Sequence, residues 1–215
     1  MPFLDQDSSQ NEPIDCRIMT AALDLFVKNG YHNVSVHDIR KLADVSIGSL
    51  YKYFGGKEGV AKALYYHLLN EMEVMVARIT SIPETPRAQI YRIVSQLFKY
   101  TETRPSIIAF ILNAKHHEFL PDEPPIWDST ALSTMRDIIT DAMSKGEIRA
   151  GDSIVTSALI YGPVIRLIQL RLDGVIQHPL EQVIQEVLDH IWYGSAKTPP
   201  YPPTEKMISS KNQYR

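Results

Sequence analysis

Apolar positions recur with a helical period along almost the whole chain, and polar breaks divide the pattern into segments. Ile14, Ile18, Ala21, Ala22, Leu25 and Phe26 form one stripe, ended by Asn29-Gly30. Val36, Ile39, Leu42 and Ala43 mark a second, short helix, and Asp44-Val45 interrupts it. Ser46 restarts the pattern as an N-cap, its hydroxyl accepting from a free backbone N–H of the new first turn. Val45 and Leu50 have the spacing of a hydrophobic staple across that cap, and Leu50 and Phe54 share a face that packs on the preceding helix. A long helix runs from Lys57 to about Ile79, with Val60, Leu64, Leu68, Met72 and Met75 in step, and Pro83 and Pro86 stop it. Helical patterns follow over 87–102, 105–118, 126–145, 152–172 and 179–194. Their separators are Arg104-Pro105, residues 121–125, residues 146–151 and residues 174–179. No segment sustains a period of two, so the fold class is all-α.

The third segment, Ser46 to Phe54, leaves Ile47, Gly48, Ser49, Tyr51, Lys52 and Tyr53 pointing largely outward. Solubility gives a short helix little reason to expose two tyrosines, a lysine, a serine and a glycine. A DNA major groove admits an α-helix and has phosphates at its rims. Around these residues the motifs are LFVKNGY, an S-V-x-D-I start, L-A-x-V-S-x-G-S-L-Y-x-Y-F, and K-E immediately after. Over about 45 continuous residues the chain resembles the TetR/AcrR family of bacterial transcriptional regulators. Two positions depart from the family pattern. Asp44 stands where the turn usually has glycine, and Asp tolerates left-handed backbone better than most residues. Ile47 stands where many members carry a basic or polar residue.

The resemblance implies a three-helix DNA-binding head with a helix-turn-helix, then a larger helical ligand-binding and dimerisation body. The divisions expected are a disordered arm over 1–13, the head over 14–56, the body over 57–196 and a flexible tail over 197–215. Expected DNA contacts are Ser35, Val36, Ser46, Ile47, Gly48, Ser49, Tyr51, Lys52, Tyr53 and Lys57. The partner is a palindromic double-stranded operator, read by two heads.

Composition changes this picture little. The chain has 215 residues, is 44% hydrophobic and carries a net charge of −3. Within residues 14–57, however, six Lys/Arg face four Asp, a local balance of +2 on an otherwise acidic chain. Cys16 is the single cysteine, which excludes an intramolecular disulfide and suits a reducing, cytoplasmic setting, and it reads as a small, partly buried apolar residue. The N-terminus reads as no signal peptide. The longest apolar run, Ala158 to Ile165, contains Gly162-Pro163 and is short for a bilayer, so no membrane partner is expected.

Residues 154–170 are apolar on nearly all sides, with Gly162-Pro163 placed to kink or break the helix. The final helix carries one stripe: Leu180, Val183, Ile184, Val187, Leu188, Ile191 and Trp192. One small body cannot easily cover both, so a homodimer is expected with Leu180, Val183, Ile184, Val187, Leu188 and Ile191 at the interface. The resemblance implies the same four-helix contact, and a small-molecule pocket among the middle helices. Phe98, Phe110, Trp127, Met135 and Tyr161 are its apolar lining candidates, and Asn113, His116 and His117 its polar ones. Between Arg104 and Arg136 the only lysine or arginine is Lys115, which favours an apolar or aromatic effector over a densely anionic one.

Adjacent His116 and His117 point about 100° apart on a helix, a poor pair for one ion, so no metal and no cofactor are expected. No nucleophile elbow, phosphate loop, dinucleotide fingerprint or zinc-protease motif is present, which argues against an enzyme. The expected function is a ligand-responsive, sequence-specific DNA-binding transcriptional regulator, a repressor in the first instance. The alternatives are a ligand-independent activator or global regulator, and a helical small-molecule-binding or enzymatic protein not acting on DNA. Lys52, Tyr51, Tyr53 and Lys57 oppose the last.

Overall fold

The computed structural model describes residues 13–113 and 120–195. Among these residues there are nine α-helices and no strand. The head is α1 (Ile14–Asn29), α2 (Val36–Ala43) and α3 (Ile47–Phe54), and α4 (Lys57–Thr80) leads out of it. The body continues with α5 (Pro86–Thr103), α6 (Pro105–Asn113), α7 (Thr130–Ser144), α8 (Ser153–Leu172) and α9 (Ile184–Ser195). The expected arm and tail, together with His116 and His117, lie outside the described residues.

Local chemistry sets the helix ends. Thr85, Ser129 and Asp152 cap α5, α7 and α8 by accepting from backbone N–H groups of the first turn. Ser129 also explains why the expected helix over 126–145 is divided. Its backbone is extended, so Ile126–Asp128 forms a separate 3-10 turn and α7 starts afresh at Thr130. Likewise Leu180–Val183 is a 3-10 turn ahead of α9. Pro163 lies inside α8, and the helix continues through it without the break that its sequence suggested.

One hydrophobic core runs from the head into the body, from Ile18 through Leu50 and Leu64 to Phe98, Ile139 and Ile168. α1 packs on α2, α4 and α6, so the head is seated on the body as well as joined to it. Cys16 is buried in α1. The expected apolar face of α2 is only partly buried: Ile39 and Ala43 are covered, Val36 is half-buried, and Leu42 is 55% exposed.

α8 shows the same division on a larger scale. Ile160, Tyr161, Val164 and Ile168 face inward, whereas Ile154, Val155 and Leu159 are 57–67% exposed. By length and composition α8 could cross a membrane, with 22% of its most apolar window buried. It packs on α5, α6, α7 and α9, and Arg171 near its end pairs with Glu102 of α5 at 2.8 Å. Those contacts fit a bundle helix with one outward apolar face.

Candidate nucleic-acid interface

The turn between α2 and α3 is fixed by hydrogen bonds from both sides. Ser35 and Asp38 form a complete capping box at the start of α2: Asp38 N donates to Ser35 Oγ at 3.2 Å, and Ser35 N to Asp38 Oδ2 at 2.9 Å. The Ser35 donors beside it hold the Asp38 carboxyl below its ordinary range. Ser46 caps α3 by accepting from Ser49 N at 3.0 Å. Asp44 ends α2 in the left-handed region at φ 51°, the conformation expected of it. From α1, Arg17 Nη2 then donates to the carbonyls of Ala43 and Asp44, each at 2.6 Å. It is a clamp across 26 residues that the sequence pattern did not expose.

With the turn held, Leu50 is fully buried and Phe54 half-buried, and the opposite face of α3 lies open. Ile47, Gly48, Tyr51, Lys52 and Tyr53 are all exposed, with both tyrosines near half exposure. Gly48 is not demanded by the fold, because a side chain there would meet nothing closer than Ser46 Oγ at 3.7 Å. Exposed Arg40 and Lys41 at the end of α2 add two cations beyond the expected contacts. Helix ends near the turn are where a phosphate rim passes such a motif.

Three expected contacts hold different positions. Ser35 donates its hydroxyl to Asp38 Oδ2 at 2.6 Å, so its donor serves the cap, and Val36 is half-buried against the core. Lys57 Nζ donates to the Tyr31 carbonyl at 3.0 Å and lies 4.1 Å from the centre of that ring, which ties the start of α4 to the end of α1. The α3–α4 junction is equally close-fitting. A Cβ on Gly59 would lie 1.7 Å from the Phe54 carbonyl oxygen, so glycine is required there.

The body candidates separate into different places. Phe98, Met135 and Tyr161 are buried in the core. Phe110 is buried too, but its ring stacks on Phe26 of α1 at 6.4 Å, at the joint between head and body. Trp127 is 66% exposed on the 3-10 turn, so it lines no interior surface; the helix that was to turn it inward begins three residues later. Asn113 ends α6. The residues chosen for the dimer face are likewise redistributed. Leu180 is fully buried inside the protomer, and Leu188 and Ile191 nearly so, because the 3-10 turn and α9 direct their stripe onto α5 and α8. Val183, Ile184 and Val187 are half-buried. The open apolar surface belongs to α8 instead. It borders a groove of about 790 Å³ between α8 and α9, lined by Leu159, Pro163, Leu167, Val187, His190 and Ile191, among others.

The loop after residue 119 grips α4. Lys62 and Tyr66 both donate to Glu123, and Tyr65 Oη donates to the Pro124 carbonyl at 2.8 Å. The Lys62 ammonium and the Tyr66 hydroxyl together hold the Glu123 carboxyl below its usual range.

This arrangement of head, linking helix and bundle has close counterparts. The chain is 33% identical over 76 residues to the HTH-type transcriptional regulator UidR of Escherichia coli strain K12, over 35% of this chain and 37% of that protein. It therefore spans little more than a third of the curated relative. Among solved structures, the ketosteroid transcriptional regulator of Mycobacterium tuberculosis superposes with a TM-score of 0.72 at 19% identity, covering 90% of this chain and 100% of that one. The transcriptional regulator FadR of Bacillus subtilis, solved in complex with stearoyl-CoA, superposes with a TM-score of 0.70 at 22% identity, covering 83% and 98%. Residues 18–64 match the bacterial regulatory proteins of the tetR family, and residues 67–195 match the tetracyclin repressor-like C-terminal domain. With head and body both matched, the chain belongs to the tetR family of bacterial regulatory proteins.

Proposed function

We propose that this chain is a cytoplasmic, homodimeric repressor that binds a palindromic DNA operator and is released from it by a small apolar or aromatic effector. The observation that carries the DNA reading is the outer face of α3. Gly48, Tyr51, Lys52 and Tyr53 are exposed on a helix whose ends and inner face are fully engaged, so this face has no role in the protomer's own folding. Tyr51 and Tyr53 suit phosphates, while Gly48 and Lys52 suit base edges.

The outward apolar residues of α8, Ile154, Val155 and Leu159, together with Val187 across the groove, supply the second half of the reading. A two-fold contact through this face covers them and sets two α3 helices about one helical turn apart. The effector reading rests on the buried aromatic body and on a structural neighbour described as a ketosteroid transcriptional regulator; stearoyl-CoA, bound by another neighbour, joins a long apolar chain to a polyanionic carrier, and only the chain suits such a body. Two joints are placed to carry an effector's influence to the head: the Phe26–Phe110 stack and the grip of Glu123 on α4. An effector moves them only through different affinities for the bound and released arrangements.

The test is a binding-site selection with purified protein on fragmented genomic DNA, followed by titration at several salt concentrations. The expected result is a palindromic site bound by a dimer, with affinity falling steeply as salt rises. Salt-independent binding, or no enriched site, overturns the proposal.

A further inference from the structure

Two hydroxyl oxygens in the body are shut off from water and have no hydrogen-bond partner: Ser157 Oγ and Tyr161 Oη. They stand four residues apart on α8, hence one turn apart on the same side of the helix. Tyr161 is 7% exposed and lies in the inward row with Ile160 and Val164. Buried polar groups in folded proteins are nearly always paired, and two orphans on one helix turn call for an explanation. A structural explanation fails on its own terms, since a hydroxyl that bonds to nothing holds nothing together, and phenylalanine and alanine would fill the same space.

The surroundings restrict what could bind there. Burial alone pushes the Tyr161 phenol well above its ordinary value, and no neighbouring charge contributes to the shift. The hydroxyl is therefore neutral at any physiological pH, and among the described residues no charged group contributes to that shift, so none of them offsets an anion brought beside it. A neutral oxygen is different: it accepts one O–H bond from the phenol and a second from the serine, and brings little desolvation penalty.

We propose that Ser157 and Tyr161 form the polar anchor of the effector site, accepting a neutral carbonyl oxygen – of a ketone or an ester-type group – on an otherwise apolar molecule. The proposal rests on the effector reading above and gives its site a location and a chemical class. A free carboxylate of the same chain is rejected at this point, because its charge would be buried without a partner.

The experiment uses the full chain, first without DNA and then, with the probes that bind, on its selected operator. Methyl ketones and methyl esters of graded alkyl length, an aryl ketone, the matching carboxylates and the matching alkanes are compared by thermal shift and by calorimetry. The ketones or esters are expected to bind and stabilise the wild type, and the carboxylates and alkanes to do so at least about tenfold more weakly. Tyr161→Phe should lose about tenfold in ketone or ester affinity, the scale of one lost buried hydrogen bond. Ser157→Ala should lose less. Without any probe, Tyr161→Phe should melt at the same temperature as the wild type or higher, because it removes an unpaired buried polar atom. Four results each overturn the proposal: equal affinity for ketone and alkane, tightest binding of the carboxylates, unchanged ketone affinity in Tyr161→Phe, or no probe bound by the wild type. If the probes bind as expected but leave operator affinity unchanged, the anchor stands and the repressor-release reading falls.

Discussion

The head and the body of this protein are held in shape by different kinds of contact. In the head, the capping bonds join residues three apart: Ser35 with Asp38 and Ser46 with Ser49. In the body, further bonds join distant residues. Glu102 meets Arg171 across 69 positions, Tyr65 meets Pro124 across 59, and Arg87 meets Asp189 across 102. A surface that reads DNA needs one rigid presentation, and short-range caps at the starts of α2 and α3, locked by the Arg17 clamp, provide it. A body that answers a ligand needs elements whose mutual positions can shift, and long-range contacts between helices are what shift. Arg17 is the long-range exception inside the head, Phe110 stacks on the head at Phe26, and Glu123 grips the linking helix α4.

The largest expected effect breaks the body without touching the head. Leu159→Asp places a charge on the exposed apolar face of α8, 66% exposed in the protomer, so the monomer should fold normally. Light scattering should report monomers, and operator affinity should fall at least about a hundredfold because the two heads are no longer linked. A dimer with unchanged affinity places the interface elsewhere. Val187→Asp is the weaker companion, since Val187 is already half-buried within its own chain.

Gly59→Ala attacks the joint between the regions. The added carbon meets the Phe54 carbonyl oxygen at 1.7 Å, so α3 and α4 must part. A loss of about 3 kcal/mol is expected, the upper range for overpacking. Thermal melting should fall and DNA binding with it, while the dimer persists. Full stability in this variant shows that the junction relaxes.

Much of the head was legible because its rules are local. The serine before Ile47 reads as a cap and is one, and Asp44 takes up the left-handed turn expected of it, whereas Ser35 reads as a DNA contact and proves to cap α2 with Asp38. Helix type among the described body residues was legible for the same reason. Its surfaces were not. The stripe Leu180, Leu188 and Ile191 reads equally well as an interface or as a core, and only the packing of α9 on α5 and α8 decides for the core. Trp127 reads as an inward aromatic until Ser129 is seen to start a new helix behind it. Arg17 gave no signal, because its partners are backbone carbonyls and have no side-chain identity to read.

Arg17→Ala sharpens the comparison by removing a long-range bond from the locally built head. The guanidinium donates to two carbonyls and is partly exposed, so a stability loss of about 1–2 kcal/mol is expected. Operator affinity should fall while its dependence on salt stays the same, because the role is to position α3 and not to neutralise phosphate. A reduced salt slope would assign Arg17 to the DNA backbone instead.

Lys52→Ala and Lys57→Ala divide the head's cations. Lys52 is exposed on α3, so its loss should relax preference at one base pair by about 1–3 kcal/mol and leave the melting temperature unchanged. Lys57 is bound to the Tyr31 carbonyl and ring, so its loss should lower head stability and weaken all sequences alike. Site selection and melting on both variants decide the matter, and matching profiles would refute the division.

The smallest effect tests how local the head is. Ser35→Ala removes the N-cap of α2 and should lower stability by about 1 kcal/mol. Its partner Asp38 gives the same box a pH signature. The side-chain and backbone donors of Ser35 favour the ionised carboxylate in the folded state, so its folded pKa lies below the ordinary 3.8. The stabilisation is therefore complete above 3.8 and is lost as the pH falls through the lower folded value. Asparagine keeps the shape of Asp38 without the charge, so the wild type should melt above Asp38→Asn at neutral pH. That gap should close on acidification below 3.8 and stay constant between pH 5 and 8, where Asp38 does not titrate. A gap that narrows already near neutral pH would assign the stabilisation to a group other than the Asp38 carboxylate.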